Sequence, residues 1–179
     1  MPTAEMLVRQ VDEGDWTPLH TAASCGSADA SSALLARGAR VNAETPGGQT
    51  PAHYAASKGH VSVLEVLANA QCDLIASDGV GATPLHRAAA QGRLGVIDFL
   101  MERFSPTATL SKEAWRALNA KDKGGRTALL VACEAGQDEA AIRLARHGAD
   151  IEVRDADKHG IEELAPKLVS MLRQIAAER

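Results

Sequence analysis

The chain has 179 residues, of which 45% are hydrophobic and 23% charged, a composition that predicts one globular domain and excludes disorder and collagen. Its net charge of −4 at pH 7 disfavours nucleic acid and anionic lipid as partners. No run approaches the length of about 18 apolar residues that a membrane span needs, and the N-terminus lacks a signal-peptide core. We therefore expect a soluble protein in the cytoplasm, the nucleus or both.

The first predicted element is a short helix in TPLHTAASCG, residues 17–26. Thr17 can cap the N-terminus through its side-chain oxygen, and Pro18 fits the first helical position, where a missing N–H does no harm. Gly26 can adopt positive φ and end the helix after about two turns. Small side chains at Ala22 and Ala23 allow a neighbouring helix to pack closely.

Nearly the same ten residues return three times along the chain. They begin at Thr50 (TPAHYAASKG), Thr83 (TPLHRAAAQG) and Thr127 (TALLVACEAG), at intervals of 33, 33 and 44 residues from Thr17 onward. Each copy precedes a second segment with apolar residues at helical spacing and a connection rich in Gly, Asn, Asp and Pro. One such unit cannot cover its own apolar face, so the copies should stack into a repeat solenoid.

Two positions depart from the regular unit. Gln71 stands where a glycine commonly takes positive φ, which predicts a weak point at the end of the second unit. Eleven extra residues, 107–117, separate the third and fourth copies, and Ser111 or Thr109 could cap a short helix there that carries Trp115 and Leu118. This insertion is either a tolerated surface excursion or an added contact arm.

No chemical site is predicted. The side chains of His20, His53 and His86 lie one repeat apart, too far to share a metal, and we expect each to hydrogen-bond its own Thr and the adjoining turn. A complete phosphate-binding loop and a nucleophile-elbow motif are both missing from the sequence. The three cysteines, an odd count without a CxxC pair, should be small buried or half-buried side chains in a reducing compartment. We expect no enzyme, no metal and no cofactor.

The period of 33, the T-P-L-H-x-A-A helix and the GA-x-V-N-A turn at residues 38–43 resemble the ankyrin repeat family. The resemblance implies an all-α solenoid of helix-turn-helix units with β-hairpin fingers, about four full repeats and a degenerate C-terminal capping repeat. It also implies a concave surface that binds proteins. The single domain, 1–179, then divides into a partial repeat end (1–11), four repeats (12–44, 45–77, 78–121 with the insertion, 122–154) and a cap (155–179), in which Pro166 opens a helix.

A closer resemblance rests on Tyr54, Lys58, Arg87 and Cys133, which are similar to successive repeats of the gankyrin family. That likeness implies a non-enzymatic chaperone for assembly of the proteasome regulatory particle, monomeric on its own. Its partner would be the C-terminal domain of a base ATPase subunit. The alternative is a generic ankyrin adaptor or inhibitor of another intracellular protein.

Candidate contact residues follow from the geometry of the unit. Side chains just before each Thr lie on a finger, and those seven and eight positions after it lie on the exposed side of the inner helix. With the half-exposed neighbours four positions after the Thr, the candidates are Glu13, Trp16, Ser24, Cys25, Gln49, Tyr54, Ser57, Lys58, Val80, Arg87, Ala90, Gln91, Lys123, Arg126 and Glu134.

Charge along these candidates runs from acidic at Asp12, Glu13 and Asp15 to basic at Lys58, Arg87, Lys123 and Arg126, so the partner should be oppositely graded. The aromatic residues Trp16 and Tyr54 are the best anchor candidates. For Trp16, packing of the ring on the neighbouring finger is an equal alternative.

Overall fold

A computed structural model of the protein describes residues 11, 14–104 and 111–178. Over these ranges the chain forms eleven α-helices and no strand. In chain order they are α1 (Pro18–Cys25), α2 (Ala28–Ala36), α3 (Pro51–Lys58), α4 (Val61–Asn69), α5 (Pro84–Ala90), α6 (Leu94–Phe104), α7 (Lys112–Leu118), α8 (Ala128–Glu134), α9 (Asp138–His147), α10 (Ile161–Leu164) and α11 (Val169–Ala177).

The helices form two layers. The inner layer is the row α1, α3, α5 and α8, each helix packed on the next. The outer layer is the row α2, α4, α6, α9 and α11, and the first four of these also pack on the inner helix of their own repeat. This arrangement is the predicted all-α repeat solenoid, and its core is one continuous cluster that runs from Leu19 to Leu172.

Local sequence explains why each inner helix is short and closely packed. The backbone N–H of His20 donates to the side-chain oxygen of Thr17, and Gly26 ends α1 with φ at 76°. The alanine pairs in the middle of α3 and α5, Ala55-Ala56 and Ala88-Ala89, have no exposed surface. Because their side chains are small, the neighbouring inner helices can approach closely.

The connections between repeats are tight fingers rather than the expected β-hairpins. In the finger of the third repeat, the N–H of Asp78 donates to the carbonyl of Ala82 at 2.9 Å, and the N–H of Gly81 donates back to the carbonyl of Asp78 at 2.8 Å. Each finger then meets the next through the backbone, as where the N–H of Lys123 donates to the carbonyl of Val80 at 3.0 Å. In the described residues the fingers therefore contain turns and no strand.

The insertion forms the short helix α7, as predicted. The Oγ of Ser111 accepts from the N–H of Ala114 at 3.0 Å and donates to the carbonyl of Phe104 at 2.8 Å, which ties the start of α7 to the end of α6. Leu118 is fully buried, whereas the side chain of Trp115 is 51% exposed. The alternative cap, Thr109, lies outside the described residues.

Two predictions of local structure are wrong. The C-terminal helix begins at Val169 instead of Pro166, because residues 166–168 form a turn before it. Cys25 was expected to be at least half-buried, but it is exposed, because it lies on the solvent side of the last turn of α1. Cys72 is half-buried and Cys133 is buried, as expected. In the described ranges no helix combines the length and the apolar character that crossing a membrane requires.

Candidate protein-binding face

Buried histidines fix the position of the fingers against the inner helices. The Nδ1 of His53 accepts from the N–H of Thr50 at 3.1 Å, and its Nε2 lies 3.0 Å from the carbonyl of Ala82 in the next finger. His20 and His86 repeat both contacts, with the carbonyls of Gln49 and Arg126. These contacts require the Nε2–H tautomer, and the prediction for the three histidines is confirmed.

Burial favours the neutral form of His53 and His86. Desolvation lowers the pKa of His53 and of His86 below the ordinary value, and it outweighs the opposing effect of the carbonyl acceptors. Because both ring nitrogens of each histidine are already used, none of the three offers a free ligand atom. In the described part of the chain, no group of three or more His, Cys, Asp or Glu side chains is placed to hold a metal ion.

The two aromatic anchor candidates lie against each other at the start of the inner layer. The ring centroids of Trp16 and Tyr54 are 4.3 Å apart in an edge-to-face arrangement. The hydroxyl of Tyr54 donates to Gln49 Oε1 at 2.5 Å, and Trp16 Nε1 donates to Thr21 Oγ1 at 2.8 Å. We call Trp16 and Tyr54 the aromatic pair. Both rings are half-buried. Trp16 also lies near the ring of His20 in α1, with the ring centroids 5.4 Å apart.

Two buried aspartates organise the fingers further along. Asp78 Oδ1 accepts from the N–H groups of Val80 and Ala82, both at 3.0 Å, while Oδ2 faces the guanidinium of Arg87. Burial alone would raise the pKa of Asp78, but the hydrogen bonds from Arg87 and from the two backbone N–H groups lower it overall. The carboxylate is therefore ionised at neutral pH and holds the Arg87 side chain in one orientation.

Asp122 has the same role one repeat later. Its Oδ1 accepts from the N–H groups of Gly124 and Arg126, both at 2.9 Å, and its Oδ2 accepts from the Arg126 guanidinium. Arg126 Nη1 also donates to Glu134 Oε2 at 2.7 Å. The hydrogen bond with Asp122 is the main cause of a raised pKa for Arg126. Sequence reasoning missed both aspartates, although each stands five residues before the Thr of its repeat.

These ion pairs change the expected distribution of charge. Arg87 and Arg126 were predicted to make the later repeats basic, but each is paired with a carboxylate whose side chain is at most 2% exposed. A guanidinium paired in this way adds little positive potential outside the protein. Of the other predicted cations, Lys58 is exposed and Lys123 Nζ donates to the carbonyl of Gly79 at 2.7 Å.

A groove of about 300 Å³ opens between the fingers of the third and fourth repeats and the helices α5 and α8. Five of the predicted contact residues line it: Val80, Arg87, Ala90, Arg126 and Glu134. Val131 also lines it and was not predicted, although it stands four residues after Thr127, as Tyr54 and Arg87 follow their own threonines. We call this feature the groove.

The remaining described candidates lie along the inner layer outside the groove. Ser24 and Ser57 are half-buried, and their carbonyls accept from the side chains of His60 and Arg93 in the next repeat. Cys25 and Gln91 are exposed at the ends of α1 and α5. Glu13 and Asp12 lie outside the described residues. We call the side of the molecule formed by the fingers and the exposed side of the inner helices the inner face.

Stacked helix pairs with finger turns define the class of repeat solenoids that bind proteins. The chain matches the family model described as ankyrin repeats (3 copies) over residues 2–78, 44–109 and 75–155. It therefore belongs to the ankyrin repeat family, whose members are typically non-enzymatic protein-interaction modules. No curated protein matches the chain.

Proposed function

We propose that this protein is a gankyrin-like assembly chaperone that acts in the cytoplasm or nucleus. Its inner face, from the aromatic pair to the groove, binds the C-terminal domain of a proteasomal base ATPase subunit. The coarser part of this proposal, a protein-binding module, follows from the family. The finer part is supported by the likeness at Tyr54, Lys58 and Arg87, all of which lie on the inner face.

The groove is the observation that carries the proposal. Its charged lining is held in place before any partner arrives, since buried aspartates orient Arg87 and Arg126. The aromatic pair is likewise fixed by its hydrogen bonds to Gln49 and Thr21. Side chains that are already ordered lose little conformational entropy on binding, which favours affinity. A preformed surface of this kind suits a folded partner domain.

One observation favours the alternative of a generic adaptor. Cys133, the fourth residue of the likeness, is only 3% exposed and packs in the core, so it cannot contact a partner. The likeness that bears on binding then rests on three residues. The experiment must therefore separate binding through the inner face from the identity of the partner.

The test compares Ala135→Trp, which places a bulky uncharged side chain at the groove, with Ala177→Trp, the same exposed change at the C-terminal end of α11. Calorimetry against the isolated C-terminal domain of each proteasomal base ATPase subunit should find one that binds. We expect Ala135→Trp to weaken that binding at least about tenfold, the equivalent of about 1.4 kcal/mol, and Ala177→Trp to leave it unchanged.

Each other outcome has a definite meaning. If none of the ATPase domains binds the wild type, the chaperone proposal is wrong. Cell-extract proteins captured by wild type and Ala177→Trp but lost with Ala135→Trp would then identify the partner of an adaptor. If a domain binds all three proteins equally, the groove is not part of the interface.

A further inference from the structure

The groove has an aliphatic wall with ionic groups at its edge. Val80, Ala90, Val131 and Ala135 supply the aliphatic part, and the side chain of Val80 is 53% exposed. The volume of about 300 Å³ is at the lower end of the range for small-molecule pockets, about 300–1,000 Å³. A space of this size and shape suits a single long side chain of a partner.

The ionic groups around the groove leave an excess of negative charge. Two guanidinium groups, those of Arg87 and Arg126, face three carboxylates, those of Asp78, Asp122 and Glu134, which gives one net negative charge. The side chains of Asp78 and Asp122 are 1% and 2% exposed, so the charge of each arginine is compensated from inside the protein.

Glu134 is the carboxylate of this set that reaches solvent. Its side chain is 50% exposed, and its Oε2 accepts from Arg126 Nη1 at 2.7 Å. A carboxylate has about four lone-pair positions on its two oxygens, so Glu134 can accept further hydrogen bonds from a ligand. The arginine contact also fixes the orientation of the Glu134 side chain beside the aliphatic wall.

We propose that the groove binds a lysine or arginine side chain of the protein partner, with the aliphatic stem on Val80 and Val131 and the charged head on Glu134. Long cationic side chains bury their methylene groups on apolar surfaces while the head stays hydrated, and this groove offers both environments. An acidic side chain is disfavoured because it meets the excess negative charge. The proposal rests on the proposed protein-binding function and names the chemistry of one contact within it.

The test is a selection from a random peptide display library against the wild-type protein. Binders that also bind Ala135→Trp, in which a bulky uncharged side chain obstructs the groove, are discarded. The remaining peptides should share a lysine or arginine at one position, and replacing it with Gln or Glu should weaken binding. Peptides that share an Asp or Glu instead, or a library that yields no groove-dependent binder, would overturn the proposal.

Two variants of Glu134 test the contact itself with a selected peptide. Glu134→Gln should weaken binding about two- to fivefold, as for an exposed ion pair, and added salt should shrink the difference. Glu65→Gln, which removes the same charge from the exposed side of α4, should have no effect. Glu134→Lys should bind the lysine peptide weakly and its Lys→Glu version better than wild type does. Equal binding by wild type and Glu134→Lys would contradict the proposal.

The selection uses no proteasomal protein, so its outcome is separate from that of the proposed function. If lysine or arginine peptides are selected while no ATPase domain binds, this inference stands and the chaperone proposal fails. If an ATPase domain binds through the groove but the selected peptides are acidic, the chaperone proposal stands and this inference fails.

Discussion

His53 links two neighbouring repeats with one imidazole. Its Nδ1 accepts from Thr50 at the start of its own helix, and its Nε2 donates to the carbonyl of Ala82 in the next finger. Protonation would place a proton on Nδ1, where the N–H of Thr50 already points, and would put a charge in the core. The link between the repeats therefore depends on the neutral form.

We expect stability to fall in mild acid for this reason. Burial lowers the pKa of His53 and His86 in the folded state, so below about pH 6.5 the unfolded chain binds protons that the folded chain resists. Each histidine then costs up to about 1.4 kcal/mol per pH unit. The lowered pKa values of Asp78 and Asp122 act only nearer their ordinary value of 3.8 and below, which leaves a window for the histidines.

Urea unfolding between about pH 7.5 and about pH 5 checks this pH dependence. His53→Gln should be less stable than wild type at the upper pH and lose less stability on acidification. Gln91→Ala, an exposed change that removes no titratable group, should keep the wild-type slope. A wild type with the same free energy of unfolding at both ends of the range would show that the histidines do not titrate as described.

Gln71 has a backbone conformation that lowers the stability of the fold. Its φ is 62°, in the left-handed region that the sequence predicted for it. Gln71→Gly should raise the free energy of unfolding by about 1 kcal/mol, because glycine adopts this region without a steric cost. Gln91→Gly is the control, since Gln91 likewise follows the end of a helix but has φ at −105°. The same or a larger gain from Gln91→Gly, measured by urea unfolding, would refute the strain at Gln71.

At the scale of the elements, the fingers are held by contacts that the helices cannot provide. A Cβ built on Gly81 would lie 2.8 Å from the backbone nitrogen of Lys123 in the next finger, and φ at Gly81 is 81°. Gly136 also has positive φ, 66°, but a Cβ there would meet no atom within 4 Å. A substitution at Gly136 therefore tests backbone strain alone, whereas a substitution at Gly81 tests strain together with the close contact between fingers.

Gly81→Ala should therefore cost more than Gly136→Ala. We expect about 1 kcal/mol from strain in both variants and about 1–3 kcal/mol more in Gly81→Ala from the clash with the next finger. Thermal unfolding measures the two costs, and amide exchange of Lys123, whose N–H donates to Val80, should become faster only in Gly81→Ala. Equal losses of stability in the two variants would mean that the fingers move to avoid the clash, and would contradict this prediction.

The sequence predicts the helical elements well because their signals are local. Thr starts each inner helix, Pro follows it in α1, α3 and α5, and Gly stands at the end or one residue beyond it. Even the inserted helix α7 follows from Ser111. The start of α11 was misplaced by three residues because Pro166 fits a turn as well as a first helical position. The resemblance led us to expect β-hairpins in the fingers. The repeat length alone does not show whether a finger is a tight turn or a hairpin with strands.

At the scale of the whole molecule, side chains from four repeats line up on the inner face because inner helix packs on inner helix. The repeat spacing therefore predicted five residues of the groove. It could not predict that Arg87 and Arg126 are neutralised by Asp78 and Asp122, since burial of a carboxylate depends on the folded finger. The expected charge gradient counted formal charges, whereas the surface potential depends on which of them are paired.

Photo-crosslinking measures directly whether partners bind at the inner face. A benzophenone amino acid is placed at Val80, in the groove, or at Ile75, an aliphatic residue of almost equal exposure (53% and 52%) that does not line it. After irradiation in cell extract, we expect Val80 to give a discrete adduct, identified by mass spectrometry as a proteasomal base ATPase, and Ile75 to give none. Adducts of equal yield from both positions, or from Ile75 alone, would contradict binding through the inner face.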